Sequence, residues 1–296
     1  MTTEAPVVTV PFLDLRPEAL GLGRALDDAA ARVMASGRYV LGPELEHFEE
    51  SFAARVGTRH CVGVASGLDA LQLSLEALGV GAGDEVIVPS HTYIATWFAV
   101  SRAGARPVPV EPDSATGCID PMRIEAACTE RTRAVIPVHM CGHPAGMSDV
   151  LAVASARGLL VLEDCAQAHG ATHAGRPVGG WGHAGAWSFY PGKNLGALGD
   201  GGAVTTGDPA IARRLRRLRN YGSEHRYVHD ESGANSRLDE LQAALLSVKL
   251  TRLDASNARR RAVARAYATG LAGLPLDLPA DVPGHVWHLY TVCTDG

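Results

Sequence analysis

Short runs of consecutive apolar residues alternate along this chain with longer stretches in which apolar residues recur at helical spacing. The first kind reads as strands buried on both faces, the second as helices lying over them. Cys61-Val62-Gly63-Val64 is the first such strand, and leucines and alanines at helical spacing predict a helix over 68–78. Gly81-Ala82-Gly83-Asp84 marks a turn. A strand over Glu85-Val86-Ile87-Val88-Pro89 and a helix over 94–102 follow. Arg106-Pro107-Val108-Pro109-Val110 has β-branched residues but also two prolines, which confine it to a sheet edge or to irregular chain. Strands are expected at 134–138 and 159–162, with a helix over 148–156 between them. The alternation predicts an α/β fold with a mostly parallel sheet and helices on both faces.

Past residue 208 the pattern changes. Ile211, Leu215 and Leu218 form an apolar stripe inside Arg213-Arg214-Leu215-Arg216-Arg217-Leu218-Arg219. Such an arginine run is either a nucleic-acid patch or the solvated face of an amphipathic helix, and the acidic balance of the chain favours the second. A long helix is predicted from Ser236, with the stripe Leu238, Leu241, Leu245, Val248. A proline-rich connector spans 271–283, and 286–292 reads as a strand. We divide the chain into a large domain, 11–250, and a partial small C-terminal domain, 251–296, which reads as a truncated lobe.

The 296 residues suffice for one large core plus a smaller lobe. The formal charge of −5 gives no reason to expect nucleic acid or an acidic membrane as partner. No apolar run approaches the ~18 residues of a bilayer span. The start, Met1-Thr2-Thr3-Glu4-Ala5-Pro6, lacks the plan of a signal peptide. The six cysteines are irregularly spaced with no C-x-x-C. Reduced thiols in a cytoplasmic protein are the expectation.

The candidate chemistry lies at strand ends. The apolar run 159–162 ends in Glu163-Asp164, and Gln167 falls three residues further on, on the same side if the chain coils there. Downstream comes Ser188-Phe189-Tyr190-Pro191-Gly192-Lys193-Asn194, then Gly196, Gly199, Gly201 and Gly202, a glycine density suited to backbone folding closely around a ligand. An acid at a strand end and a lysine on a glycine-lined turn is an arrangement that holds pyridoxal phosphate (PLP): the lysine condenses with the aldehyde and the acid keeps the ring nitrogen protonated. Ser188 offers a hydroxyl to a phosphate oxygen. Ala65-Ser66-Gly67-Leu68-Asp69 turns a strand into a helix, either as an anion site at the helix N-terminus or simply as a serine cap with Asp69 as a first-turn dipole partner. In Pro89-Ser90-His91-Thr92-Tyr93, the tyrosine is either a stacking platform for a flat cofactor or a packing residue. His139-Met140-Cys141-Gly142-His143 has soft ligands at close spacing, but a zinc site would need a fourth, so no metal is expected. Gly192-Lys193 is no Walker loop, no G-x-G-x-x-G follows the first strand, and no G-x-S-x-G is present.

In this order the motifs resemble the DegT/DnrJ/EryC1/StrS family of PLP-dependent sugar aminotransferases, of type I, aspartate aminotransferase-like fold. The resemblance is carried by Ser36 to Pro43 with Phe48-Glu49, Ser66 to Leu71, Pro89 to Thr96, Pro137-Val138-His139, Glu163 to Gly170, Ser188 to Gly202, and Gly233 to Ala244. It implies that Lys193 holds PLP and later shuttles the proton, that Asp164 pairs with the pyridine nitrogen, and that Gln167 meets the ring oxygen or ring face. It further implies that Tyr93 stacks on the pyridine, that the backbone of Gly67 and Leu68 with Ser188 holds the phosphate, and that Asn235 reaches the phosphate from the neighbouring subunit of a homodimer. Gly67 to Leu71, Thr92 to Thr96 and Arg219 to Ser223 look most like the branch that aminates the third carbon of keto-deoxysugars linked to thymidine diphosphate, with glutamate or glutamine as donor. Related proteins with histidine in place of the lysine dehydrate instead, so Lys193 favours transamination.

The sequence departs from the family pattern at Leu68, where many members carry Thr, which leaves the phosphate to main-chain donors. His91 stands where that branch often has Asn, and could touch the sugar. Arg38 and Arg226 are candidates for the diphosphate only by location. The chain stops at Gly296, short of where family members continue. Two alternatives stand beside the aminotransferase: another type I PLP enzyme acting on amino acids, and a truncated non-catalytic dimer partner.

Overall fold

The computed structural model describes residues 10–294; the N-terminal stretch read for an export signal and the terminal Gly296 lie outside them. Three helices lead in: α1 (Arg16–Leu22), α2 (Arg24–Ser36) and α3 (Pro43–Val56). The chain then alternates through β1 (His60–Val64), α4 (Gly67–Ala77), β2 (Glu85–Pro89), α5 (Ile94–Arg102), β3 (Arg106–Val110), α6 (Pro121–Ala127), β4 (Thr132–Val135), α7 (Met147–Arg157) and β5 (Leu160–Asp164). A small hairpin, β6 (Thr172–His173) with β7 (Arg176–Pro177), precedes β8 (Ala184–Ser188) and β9 (Gly202–Thr206). Helices α8 (Pro209–Leu218), α9 (Glu240–Leu250) and α10 (Leu253–Gly270) follow.

Among the described residues the main sheet has seven strands in the order β1-β9-β8-β5-β4-β2-β3. The pairs β2–β3, β2–β4, β4–β5 and β5–β8 are parallel, and β9 runs antiparallel to both β8 and β1. The sheet is therefore mostly parallel, as expected. The proline-bearing β3 sits at its edge, where a missing backbone donor costs least.

Alternation along the strands sorts the core into two faces. Val86, Val88, Ala134, Ile136 and Leu162 pack with α4, α5 and α8. Ile87, Val135 and Val161 point the other way, against α6 and α7. On that same side Cys61, Trp187 and Ala203 pack with α3 and α9. Phe52 meets Trp187 and Phe189 edge-on at centroid distances of 5.0 and 5.4 Å, a favoured aromatic geometry.

The arginines of α8 are a charged face rather than an anion-binding patch. Arg213 pairs with Glu224, Arg214 and Arg217 with Glu231, and the buried Arg219 with Glu49. Three sequence expectations fail. The helix expected from Ser236 begins at Glu240, because Asp239 takes the cap position with an extended backbone; Leu238 is buried all the same. The following helix, α10, is a separate element that periodicity did not resolve. The strand expected over 286–292 does not form. Trp287 has φ 51°, which breaks an extended run, and the backbone N–H groups of Val286 and His288 go instead to the carbonyls of Gly142 and Cys141.

Candidate active site

Because β9 reverses direction between β8 and β1, the C-terminal ends of β1, β2, β4, β5 and β8 all face one side of the molecule. In parallel α/β sheets this edge is where ligands bind. Every strand-end motif singled out in the sequence comes from a loop on it.

Asp164 is the last residue of β5 and is buried. Its Oδ2 accepts from the Thr96 hydroxyl at 2.9 Å and its Oδ1 from the Ala166 N–H at 3.1 Å. Burial raises its pKa, while the hydrogen bonds from Thr96 and Ala166 and the charge of Lys193 pull the other way without cancelling it. Lys193 lies in the loop after β8, half-buried. Burial lowers its pKa against the opposing pull of Asp164. Its ammonium makes no hydrogen bond or ion pair among the described residues. The two groups sense each other's charge, so the fold brings them together.

The loop bearing Lys193 is tightly fixed. A Cβ on Gly196 would stand 2.4 Å from the Pro191 carbonyl oxygen, so this close return of the chain admits only glycine. Asn194, buried, donates to Asn257 Oδ1 of α10 at 3.0 Å and to the Val286 carbonyl at 2.9 Å. The lysine is thereby anchored to the C-terminal segment as well as to the sheet.

At the start of α4, Ser66 caps the helix by accepting from the Asp69 N–H at 3.1 Å. The N–H groups of Gly67 and Leu68 are first-turn donors with no acceptor among the described residues. A Cβ at Gly67 would lie 2.5 Å from the Ser188 Cβ, so the helix start and the Ser188 side chain share one small space. Asp69 accepts from the Ser236 hydroxyl at 2.8 Å, and Ser236 Oγ accepts from the Ala65 N–H at 3.1 Å. The serine is thus a cap, and the two N–H groups beside it stand without an acceptor among the described residues.

Gln167 is half-buried; its Oε1 accepts from the Cys141 N–H at 2.6 Å, which fixes the amide. Tyr93 takes the position before α5 and is 71% exposed, so it is not a core packing residue. Asn235 is exposed beside the buried Ser236. His91, Arg38 and Arg226 are exposed too. Arg226 lies over its neighbour Tyr227, and nothing ties any of the three to the Asp164–Lys193 pair.

Three residues near the pair had been given no role. Thr96 sits one helical turn from Thr92, and its hydroxyl bonds Asp164; the i, i+4 threonines were the available signal. His288, read only as part of a strand, is held neutral by burial and by the charge of Lys193, which push its pKa down to about 3. Cys141, weighed in the sequence only as one of the soft ligands of 139–143, adopts φ 55° in the turn that contacts Gln167.

His139, Glu163 and Cys165 converge in the interior, with ligand atoms within 4.8 Å of one another. The Glu163 carboxylate is already held by His139 and by the N–H groups of Gly179, Trp181 and Gly182 at 2.7 to 3.2 Å. His139 Nδ1 accepts from the Ala145 N–H at 3.0 Å, so Nε2 carries the proton given to Glu163. The cluster is a satisfied hydrogen-bond network behind β5.

A half-buried amine without a partner, a buried carboxylate calling for a cation, and two open N–H groups beside a serine hydroxyl fit PLP at its aldehyde, ring nitrogen and phosphate. Comparison with known proteins agrees. Residues 22–296 match the DegT/DnrJ/EryC1/StrS aminotransferase family. The chain is 57% identical over 298 aligned residues to the dTDP-3-amino-3,4,6-trideoxy-alpha-D-glucose transaminase of Streptomyces venezuelae, covering all of this chain and 79% of that protein. It is 51% identical to the dTDP-3-amino-3,6-dideoxy-alpha-D-galactopyranose transaminase of Aneurinibacillus thermoaerophilus, covering 96% of this chain and 78% of that one. The crystal structure of S. venezuelae DesV superposes with a TM-score of 0.94 at 58% identity, over 97% of this chain and 78% of that chain. The fold, the strand-end chemistry and these likenesses converge: this chain belongs to the DegT/DnrJ/EryC1/StrS family of PLP-dependent sugar aminotransferases.

Proposed function

We propose that this enzyme moves an amino group from L-glutamate or glutamine to the third carbon of a 3-keto-6-deoxyhexose linked to thymidine diphosphate, a step in making an amino sugar for an antibiotic or polysaccharide. The substrate class rests on the relatives at 57% and 51% identity, both named for dTDP-linked 3-amino sugars. The catalytic reading rests on one observation, the unpartnered amine of Lys193 beside the buried carboxylate of Asp164.

PLP supplies an electron-accepting ring that stabilises negative charge at the carbon beside the transferred nitrogen. The residues do the rest. Lys193 anchors the cofactor and afterwards moves a proton at its Nζ, a role that needs a free amine; burial acts in that direction by disfavouring the ammonium. Asp164 sets its negative charge against the ring nitrogen. Gly67, Leu68 and Ser188 bind the phosphate, Gln167 meets the ring oxygen or face, and Tyr93 stacks on the pyridine. Asn235 completes the phosphate site from the second subunit of a homodimer. Exposed Tyr93, Ile94, Phe98, Tyr190 and Leu198 would be covered in such an assembly. We place a large cofactor-binding domain at 11–250 and the start of a second lobe at 251–296, and assign the enzyme to the cytoplasm; no helix among the described residues is long and apolar enough to cross a membrane.

The test is to load the purified protein with PLP and L-glutamate and to compare a dTDP-linked 3-keto-6-deoxyhexose with pyruvate and oxaloacetate as acceptors. The reading predicts amination of the nucleotide sugar and little turnover of the small keto acids. The reverse preference would point to an amino-acid enzyme, and no turnover of either to a non-catalytic partner.

A further inference from the structure

A threonine inside a helix ordinarily turns its hydroxyl back to a carbonyl three or four residues earlier. Thr96, in the first turn of α5 and fully buried, does not. Its Oγ1 lies 2.9 Å from Asp164 Oδ2 and 2.9 Å from Thr92 Oγ1. A threonine hydroxyl has one proton, and an ionised carboxylate has none. Thr96 must therefore donate to Asp164, and Thr92 must donate to Thr96. The direction of the whole chain follows from the charge on Asp164.

We propose that Thr96 is a positioning residue for the reaction: a relay from Thr92 through Thr96 holds Oδ2 of Asp164, so that the carboxylate stays ionised and aimed at the cofactor's ring nitrogen. The proposal rests on the reading of Asp164 as the ring's partner. The rest of the carboxylate's surroundings leave this task to Thr96. Oδ1 is taken by the Ala166 N–H, and His139 donates its backbone N–H to the Asp164 carbonyl rather than to the carboxylate. The charged and titratable groups acting on Asp164 are Lys193 and His139, with the buried Cys165 thiol next to it in the chain, and Lys193 is committed to the aldehyde end. A hydrogen bond to a buried charge is stronger than a neutral one, and its loss leaves that charge in a medium that disfavours it.

The experiment reconstitutes wild type, Thr96→Val, Thr96→Ser, Thr92→Val and Asp164→Asn with PLP labelled with ¹⁵N in the ring. It reads the ring-nitrogen chemical shift across pH and the cofactor dissociation constant. In wild type the nitrogen is expected to be protonated. In Thr96→Val it should shift toward the unprotonated value, with binding weakened about tenfold or more, and Thr96→Ser should restore both. Thr92→Val should move the signal the same way by less. A wild-type signal in Thr96→Val, alongside a shifted one in Asp164→Asn, overturns the relay and leaves the reading of Asp164 standing. An unchanged signal in Asp164→Asn overturns that reading and the relay with it. If Thr96→Val does not fold, Thr92→Val, at a half-buried site, decides: an unchanged signal there refutes the relay.

Discussion

Asp164 and Lys193 sit where neither charge is favoured without the other. Burial raises the Asp164 pKa even after Thr96, Ala166 and Lys193 have acted on it, and burial lowers that of Lys193 even in the presence of Asp164. For Asp164 the folded state holds its proton more tightly than the unfolded chain does. Its contribution to stability is therefore full below the unfolded value of 3.8 and lost as pH rises through the folded pKa. Lys193 is the opposite: its contribution is full above 10.5 and lost as pH falls through its folded pKa. Because its pKa is raised, Asp164 lowers the stability of the cofactor-free protein wherever the unfolded chain's carboxyl would be ionised, neutral pH included. Asp164→Asn should thus raise the thermal midpoint of the apoprotein at pH 7 and abolish transamination, and the gain should vanish on acidification as wild-type Asp164 takes up its proton. Calorimetry across pH checks this, and a lower midpoint in the variant at pH 7 would contradict it. Much of this pair was legible in the sequence, because a strand-end acid and a lysine among glycines are local patterns. Thr96 was not, because its role depends on a strand 68 positions away.

At the scale of elements, one carboxylate joins two helices. Glu240, in the first turn of α9 and buried, accepts from the N–H groups of Gly42, Glu44 and Leu45 at 2.8 to 3.0 Å, and so caps α3, whose own cap position is a glycine. A negative charge at a helix N-terminus is favourable in itself, and here three otherwise orphaned donors depend on it. Glu240→Ala should destabilise the protein by about 2 kcal/mol or more, since buried donors left unmade cost about 1–3 kcal/mol each before relaxation. Urea unfolding measures it, and a change within ~0.5 kcal/mol would show that water replaces the cap. The strands β1, β2, β3 and β5 and helices α4, α5, α7 and α8 follow from apolar runs and periodicity, because their patterns are continuous in sequence. What failed depends on contacts between distant segments. The start of α9 is set by the extended Asp239 at its cap position, and the 286–292 segment spends its hydrogen bonds on the turn at Cys141 and Gly142 instead of on a ladder.

At the scale of the molecule, the candidate site lies on a sheet edge whose loops carry two exposed tyrosines. Tyr93 is 71% exposed and Tyr190 58%. Together with the exposed Asn235 this supports the proposal that each site is completed by a second copy. If so, two individually inactive variants should complement. Mixing Lys193→Ala with Asn235→Asp, with subunit exchange, should return up to about a quarter of wild-type activity, since one site of each mixed dimer has both residues intact. Activity that stays at the level of the separate variants would refute shared sites. The arginine face of α8 shows why composition could exclude a function here only in outline: its charge is answered by Glu224, Glu231 and Glu49, two of them in a loop whose course no periodicity reveals.

The proposed chemistry depends on one amine. Borohydride reduction of the PLP-loaded enzyme, followed by proteolysis and mass spectrometry, should find the pyridoxyl label on the peptide bearing Lys193 and on no other, and Lys193→Ala should take up no label and turn over no sugar. Label on a different lysine, or turnover retained in Lys193→Ala, would contradict it.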